Sequence, residues 1–119
     1  MGSNTNLYIA IGLAVVYLVI RYLGQGKAPA SKVRAKIGAG ATILDVRSPG
    51  EFSQGAYPKA RNIPLDSLAT RLGELPKDRP LVVYCASGAR SAQAARLLKK
   101  AGYADVTNAG GLGAMPRQS

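Results

Sequence analysis

Cys85 is the residue of this chain best placed to act as a nucleophile. It closes an apolar run, Leu81-Val82-Val83-Tyr84, and is followed by Ala86-Ser87-Gly88-Ala89-Arg90-Ser91 and a stretch of helical character. A buried strand feeding a helix through a short loop puts that loop at the carboxyl edge of a parallel sheet, where ligands bind. The helix start carries unpaired N–H groups and a partial positive charge. Ala86, Ser87, Gly88 and Ala89 are small enough for the loop to curl, with its amides pointing inward as an anion cradle. Cys85 is expected at the lip of that cradle, with Arg90 as a permanent cation. Each feature favours thiolate over thiol. Moving a cysteine from about 8.5 to about 6.5 takes about 2.7 kcal/mol of differential stabilisation. Ser87 and Ser91 are candidate hydroxyl donors, although capping alone would account for Ser91. On residue type alone a lone cysteine is more often a small buried hydrophobe. Its place at a strand end, before small residues and an arginine, favours the reactive reading.

The composition narrows the chemistry further. The 119 residues include one cysteine and no histidine. That excludes an internal disulfide, a Cys-rich zinc site, imidazole general bases and His-ligated metals. A nucleophile that ionises without a base is the one that fits. No metal and no cofactor is implied. Lys and Arg total 16 against 6 Asp and Glu, a formal charge of +10. Residues 37–119 hold 11 of the basic and all 6 acidic side chains. These are scattered without interleaved aromatics, which argues against nucleic acid and for a solvated face biased toward anionic substrates.

The elements that must position Cys85 alternate between strand and helix. Ser31 to Ile37 is a short helix stopped by Gly38 and Gly40, and Thr42 to Val46 is a buried strand. Ser48, Pro49 and Glu51 form a helix start with a capping box. Ala60 to Ile63 is a short strand. Leu65, Leu68, Leu72 and Leu75 carry a helical period over 65–75. Leu81 to Tyr84 is a second buried strand, and Ser91 to Ala101 a helix capped by Gly102. Asp105 to Asn108 is a third strand, after which Gly110-Gly111 begins a turn. The alternation predicts an α/β domain, a small parallel sheet with helices on both faces.

The N-terminal part is of another kind. Leu7 to Ile20 holds no charged side chain. Continued to Leu23, it would be about 25 Å long as a helix, the short end of what spans a bilayer core. Its nine Leu, Ile and Val residues favour insertion by about 3–5 kcal/mol before the cost of Arg21. Arg21 would place its guanidinium among headgroups, with Tyr8 and Tyr22 at the interfaces. Ala10 and Ala14 have a helix-pairing spacing that chance also explains. Met1 to Asn6 carries no charge, whereas Arg21, Lys27, Lys32, Arg34 and Lys36 follow the span. That asymmetry predicts an outside N-terminus and a cytoplasmic domain at the cell (inner) membrane. It also argues against a cleaved signal peptide, which opens on a basic region. The expected organisation is a membrane helix over 1–24, a basic linker and helix start over 25–36, and a domain over 37–119.

The segment from Ile43 to Met115 resembles a single-domain rhodanese. The marks stand in order: Leu44-Asp45-Val46-Arg47, Ser48-Pro49-Gly50-Glu51-Phe52, Gly55 to Pro64, the loop Cys85 to Ser91, and Gly110-Gly111. Two positions depart from the pattern, Ala56-Tyr57 where the family often has His-Ile, and Met115 where it often has an aromatic residue. The resemblance implies a rhodanese-like fold and a two-step sulfur transfer. Cys85 takes a sulfur atom from a thiosulfate-like donor as a persulfide, and a thiol or cyanide acceptor removes it. Arg90 would steer the anionic donor, the small residues and serines of the loop would hold it, and Asp45 and Arg47 would brace the loop. Two alternatives stay open. One is a tethered binding or sulfur-carrier module without turnover. The other is a cysteine phosphatase or arsenate reductase, disfavoured because four residues, not five, separate Cys85 from Arg90.

Overall fold

The computed structural model describes the backbone of residues 2–24 and 27–117 and the side chains of residues 4–19 and 27–117. Helix α1 (Gly2–Gly24) precedes the domain. The domain then runs α2 (Ala30–Gly38), β1 (Thr42–Asp45), α3 (Pro49–Gln54), β2 (Arg61–Asn62), α4 (Leu65–Leu68), β3 (Leu81–Cys85), α5 (Ala89–Lys100) and β4 (Val106–Gly111). Short 3-10 turns follow α4 and β4. The four strands are all parallel, in the order β2-β1-β3-β4.

Alternation along the two central strands builds two cores. Leu44, Leu81, Val83 and Cys85 pack with Leu68 of α4 and Ala94 and Leu98 of α5. Ile43, Val82 and Tyr84 point the other way and meet Val33 of α2, Ala109 and Met115. Helices therefore cover both faces, as a parallel sheet requires. Residues 28–36 belong to this body rather than to a free linker. Val33 is 1% exposed, and the Ala28 amide donates to the Asn108 carbonyl of β4 at 2.7 Å.

Local chemistry explains several boundaries. Ser48 Oγ accepts the Glu51 amide at 3.2 Å and Glu51 Oε1 accepts the Ser48 amide at 3.1 Å, a complete capping box with Pro49 at the first helical position. At the end of α5 the chain turns out through Gly102 at φ 99°, which a side chain would resist. The helix expected over 65–75 is instead α4, a turn and a 3-10 segment at Leu72–Glu74. Thr70, whose hydroxyl donates to the Ser67 carbonyl, lies in the turn between, and Gly73 lies inside the 3-10 segment; both are poor helix formers. Leu68 and Leu75 still reach the core. The turn expected at Gly110-Gly111 comes later, because β4 runs through Gly111.

On α1, every large apolar side chain from Leu7 to Val19 is between 49% and 71% exposed. Among the described residues no helix is long and apolar enough to cross a membrane. The span expected over 7–23 is thus not established, and the side chains of its last four residues lie outside the described ones. The apolar stretch that is described falls short of the roughly 20 residues a bilayer core needs.

Candidate active site

The site sits where β3 ends. Cys85 is the last residue of that strand, and the loop Ala86–Gly88 curls over it before α5 begins at Ala89. Gly88 adopts φ 110°, a left-handed conformation that turns its amide back. That amide donates to Cys85 Sγ at 2.9 Å. The thiol lies 3.5 Å from Ser91 Oγ. Ser91 is fully buried, and its hydroxyl also reaches the carbonyls of Gly88 at 3.0 Å and Gly110 at 3.3 Å. Ser91 is therefore not the residue that caps α5; it lies within the first turn, beneath the loop.

These contacts set the state of the sulfur. Burial pushes the Cys85 thiol up. The Ser91 hydroxyl and the amides of Ser91, Gly88 and Ser87 pull it down, and the net is a thiol held below its ordinary value. Cys85 is 0% exposed, so it forms the floor of the cradle and not its lip. The exposed rim is made by Ala86, Ser87 and Ala89.

Glycines make this geometry possible from the β4 side. The register shifts between Val83 and Tyr84, so that Val83 faces Asn108 and Tyr84 faces Gly110. The extra residue, Ala109, advances β4 and brings Gly111 opposite Cys85. A Cβ on Gly111 would lie 2.5 Å from the Ala86 carbonyl oxygen. Gly110, at φ 87°, has the stem of Lys27 lying across it, with Lys27 Cδ 2.9 Å from where a Cβ would stand. The motif Gly110-Gly111 is visible in the sequence. Its role as the surface on which the loop rests is not, because that depends on the bulge.

Arg90 does not turn into the cradle. Its two terminal nitrogens meet Glu51 Oε1 and Oε2 at 2.7 and 3.0 Å, tying the start of α5 to α3. This bidentate pair, joined by the Ser48 amide, holds the Glu51 carboxyl down at about 2. Glu51 is legible in the sequence as a capping residue. Its second task, neutralising Arg90, is tertiary.

Asp45 and Arg47 lie below the loop. Arg47 Nε and Nη2 both donate to the Asp45 carboxylate, at 3.0 and 2.7 Å, and Nη2 also donates to the Gly55 carbonyl at 2.7 Å. The guanidinium stands 5.7 Å from the ring centre of Tyr84, the residue before Cys85. Burial pushes the Tyr84 phenol up to about 12, so it stays protonated. Its oxygen accepts the Tyr57 amide at 2.9 Å, and Tyr57 Oη donates to the Pro116 carbonyl at 2.8 Å. Tyr57 and the buried Met115 thus fill the two positions where the sequence departs from the family pattern. Beside the loop a groove of about 540 Å³ runs between Pro49, Pro64, Leu65 and Val46, with Arg90 and Asp66 on its edges. Among the described residues no group of His, Cys, Asp and Glu could hold a metal ion.

Comparison with known proteins bears on the family and the fold. The family model described as a rhodanese-like domain matches residues 29–114. A protein named sulfurtransferase from Allochromatium vinosum is 46% identical over 66 residues, 56% of this chain and 62% of that protein. The match therefore spans less than two thirds of that relative. The uncharacterised Bacillus subtilis protein YqhL is 34% identical over 109 residues, 89% of this chain and 86% of its own. The thiosulfate sulfurtransferase PspE of Escherichia coli is 40% identical over 78 residues, 62% of this chain and 75% of that one. Among solved structures, a rhodanese with anions from E. coli superimposes with a TM-score of 0.61 at 37% identity, covering 65% of this chain and 95% of that one. A rhodanese-like domain protein of Staphylococcus aureus gives a TM-score of 0.66 at 27% identity, covering 79% and 94%. A sulfur held in a ring of amides at the end of a parallel strand, within a matched segment that covers most of the chain, leads to one assignment: the chain belongs to the rhodanese-like family of sulfurtransferases and sulfur carriers.

Proposed function

We propose that the protein is a thiosulfate-type sulfurtransferase. The observation that carries this reading is the Gly88 amide on Cys85 Sγ at 2.9 Å, within contacts that hold the thiol below its ordinary value. The Cys85 thiolate attacks the outer sulfur of thiosulfate. The new S–S bond forms as the old one breaks, and sulfite leaves with the electron pair. The outer sulfur of the resulting persulfide carries the negative charge into the ring of amides that served the thiolate. A thiol or cyanide acceptor then attacks that outer sulfur and returns Cys85 to its thiolate. No base is needed in either step, in keeping with a chain that has no histidine. Ala86, Ser87, Gly88 and Ala89 frame the donor, Ser91 serves the sulfur, and Arg90 with Asp45 and Arg47 holds the loop in place. The groove between Pro49 and Leu65 is the acceptor side. The printed name of PspE supports thiosulfate as the donor class.

A second reading is a sulfur carrier. A putative sulfur carrier protein of B. subtilis, YrkF, is 39% identical over 66 residues. It shares the persulfide and differs in turnover. Treatment with thiosulfate should add one sulfur atom to Cys85, read by mass spectrometry, and cyanide should then release thiocyanate repeatedly. Loading without turnover would favour the carrier. Loading or turnover in Cys85→Ser would overturn both.

The membrane reading of 1–24 belongs to the same proposal: a single-pass anchor in the cell (inner) membrane, N-terminus outside and domain in the cytoplasm. It is supported by apolar side chains exposed on all sides of α1 and by the basic residues that follow it and not precede it. Two residues lie between Gly24 and Lys27, three residue steps with a reach of at most about 11 Å, so the domain would sit close to the bilayer face. A reporter fused after Ser119 should be inaccessible to protease in spheroplasts. Accessibility there, or a chain found wholly in the soluble fraction, would refute the anchor.

A further inference from the structure

We propose that Glu51 is a positioning residue for the sulfur donor: it holds the Arg90 guanidinium out of the cradle and yields it to the donor's anionic end. The inference rests on the sulfurtransferase reading and deepens it, because it names what governs donor affinity at the same loop.

Glu51 is engaged twice. Its Oε1 accepts the Ser48 amide at 3.1 Å and the Ser48 hydroxyl at 3.0 Å, which fixes the carboxylate at the start of α3. From there Oε1 and Oε2 accept from the two terminal nitrogens of Arg90 at 2.7 and 3.0 Å. A capping box needs only the contacts to Ser48. The grip on Arg90 is additional, and it reaches 39 residues along the chain to the helix that follows the nucleophile.

Arg90 is rooted beside the sulfur. It is the second residue of α5. The amides of Gly88 and Ser91, on either side of it in the chain, both act on the Cys85 thiol. The charge of Cys85 is among those that raise the Arg90 guanidinium, so the two interact across the loop. While Glu51 holds that guanidinium, an opposite charge lies against it and its field at the sulfur is largely cancelled. The pair is open to water, with the Arg90 and Glu51 side chains 38% and 36% exposed. An ion pair in that setting is weakly held, and a competing anion can part it. The sulfonate-like end of thiosulfate is such an anion, because it offers two oxygens to the same parallel N–H groups that the carboxylate occupies.

The chemistry calls for that exchange. Attack of a thiolate on thiosulfate brings three negative charges together, and the products, persulfide and sulfite, still carry three. The loop amides serve the reacting sulfur, and the exposed rim of Ala86, Ser87 and Ala89 carries no charge. Arg90 released by Glu51 offsets the charge of the donor and then of the departing sulfite. Glu51 takes Arg90 back as sulfite leaves, so the product is not retained. The consequence is weaker donor binding, since apparent affinity falls with the fraction of molecules whose Arg90 is free.

The full chain in detergent provides the test. Glu51→Gln preserves the cap, because Gln also serves at that position of a capping box. It should lower KM for thiosulfate about fivefold, the factor by which a pair of ordinary surface strength withholds its cation. Sulfate, an unreactive dianion, should inhibit Glu51→Gln at about fivefold lower concentration for the same reason. In an Arg90→Gln background, Glu51→Gln should change either value by no more than about twofold, because the two residues act as a unit. A Glu51→Gln protein with wild-type or higher KM, or with unaltered sulfate inhibition, overturns the role of Glu51 and leaves the sulfurtransferase reading standing. An equal fall in the Arg90→Gln background also overturns it, because the carboxylate would then repel the donor by its own charge and not through Arg90. A wild-type protein whose Cys85 takes no sulfur from thiosulfate overturns the function and this inference together.

Discussion

Replacing Gly111 by alanine should deprive Cys85 of its amides without touching the cysteine. Gly111 faces Cys85 across the sheet, at φ −87° and ψ 161°, a conformation alanine adopts freely. Any cost therefore comes from the added methyl. That methyl would meet the Ala86 oxygen at 2.5 Å, the Ala86 carbonyl carbon at 3.2 Å and Ser87 Cα at 3.4 Å. All three atoms are backbone, so no side-chain tip can swing away. Ordinary contact begins near 3.4 Å, and the loop must retreat by about 0.9 Å. A shift of that size in the direction away from the sulfur stretches the Gly88 amide contact from 2.9 Å to about 3.8 Å and weakens it. A hydrogen bond to a charged acceptor contributes about 1.5–3 kcal/mol. Weakening it lets burial push the Cys85 thiol back up toward its ordinary value. A thiol raised in this way has less thiolate at neutral pH, so sulfur transfer slows. The assay is the rate of alkylation by a neutral haloacetamide against pH, with circular dichroism to show that the variant is folded. Gly113→Ala is the control, since nothing lies within 4 Å of its added carbon. A folded Gly111→Ala protein whose alkylation midpoint has not moved would refute the claim that the β4 glycines hold the loop on the sulfur.

Two further outcomes follow from the charges around the loop. Asp45→Asn removes one partner of a buried pair whose side chains are 0% and 8% exposed and should cost about 3–5 kcal/mol of stability, read by urea unfolding; a loss under 1 kcal/mol would show Arg47 to be satisfied elsewhere. Glu51 has its folded pKa depressed from 4.5 to about 2 by Arg90 and the Ser48 amide, so its stabilising contribution is full above the ordinary carboxylate range and is lost as pH falls through about 2. The gap in melting temperature between wild type and Glu51→Gln should accordingly be steady from pH 7 to about 5 and close toward pH 2; a gap that widens in acid would contradict the assignment.

Much of the fold was legible because short-range patterns carried it. The apolar runs at 42–46 and 81–84 are strands because parallel strands are buried on both faces. The capping box at Ser48 and Glu51 is local chemistry, and it forms as read. Where the reading was less successful, a long-range contact had intervened. The leucine period over 65–75 marks buried positions correctly yet does not distinguish one helix from two turns that bury the same leucines. Lys27 reads as one of a basic cluster, and its place against Gly110 of β4 depends on Ala28 reaching Asn108, 80 residues later in the chain.

The order of residue types by itself marked the family and the absence of imidazole chemistry, and it pointed to Cys85 as the candidate nucleophile, since a single cysteine before small residues at a strand end has few other uses. Tertiary structure alone decided which charges are free. Arg90 looks like the donor's cation until Glu51 folds against it, and Cys85 looks like a lip residue until the loop closes on it. The physical reason is range. Strands, caps and helix starts are set by neighbours within a few residues, whereas the electrostatics of a site is the sum over groups that only the sheet order brings together.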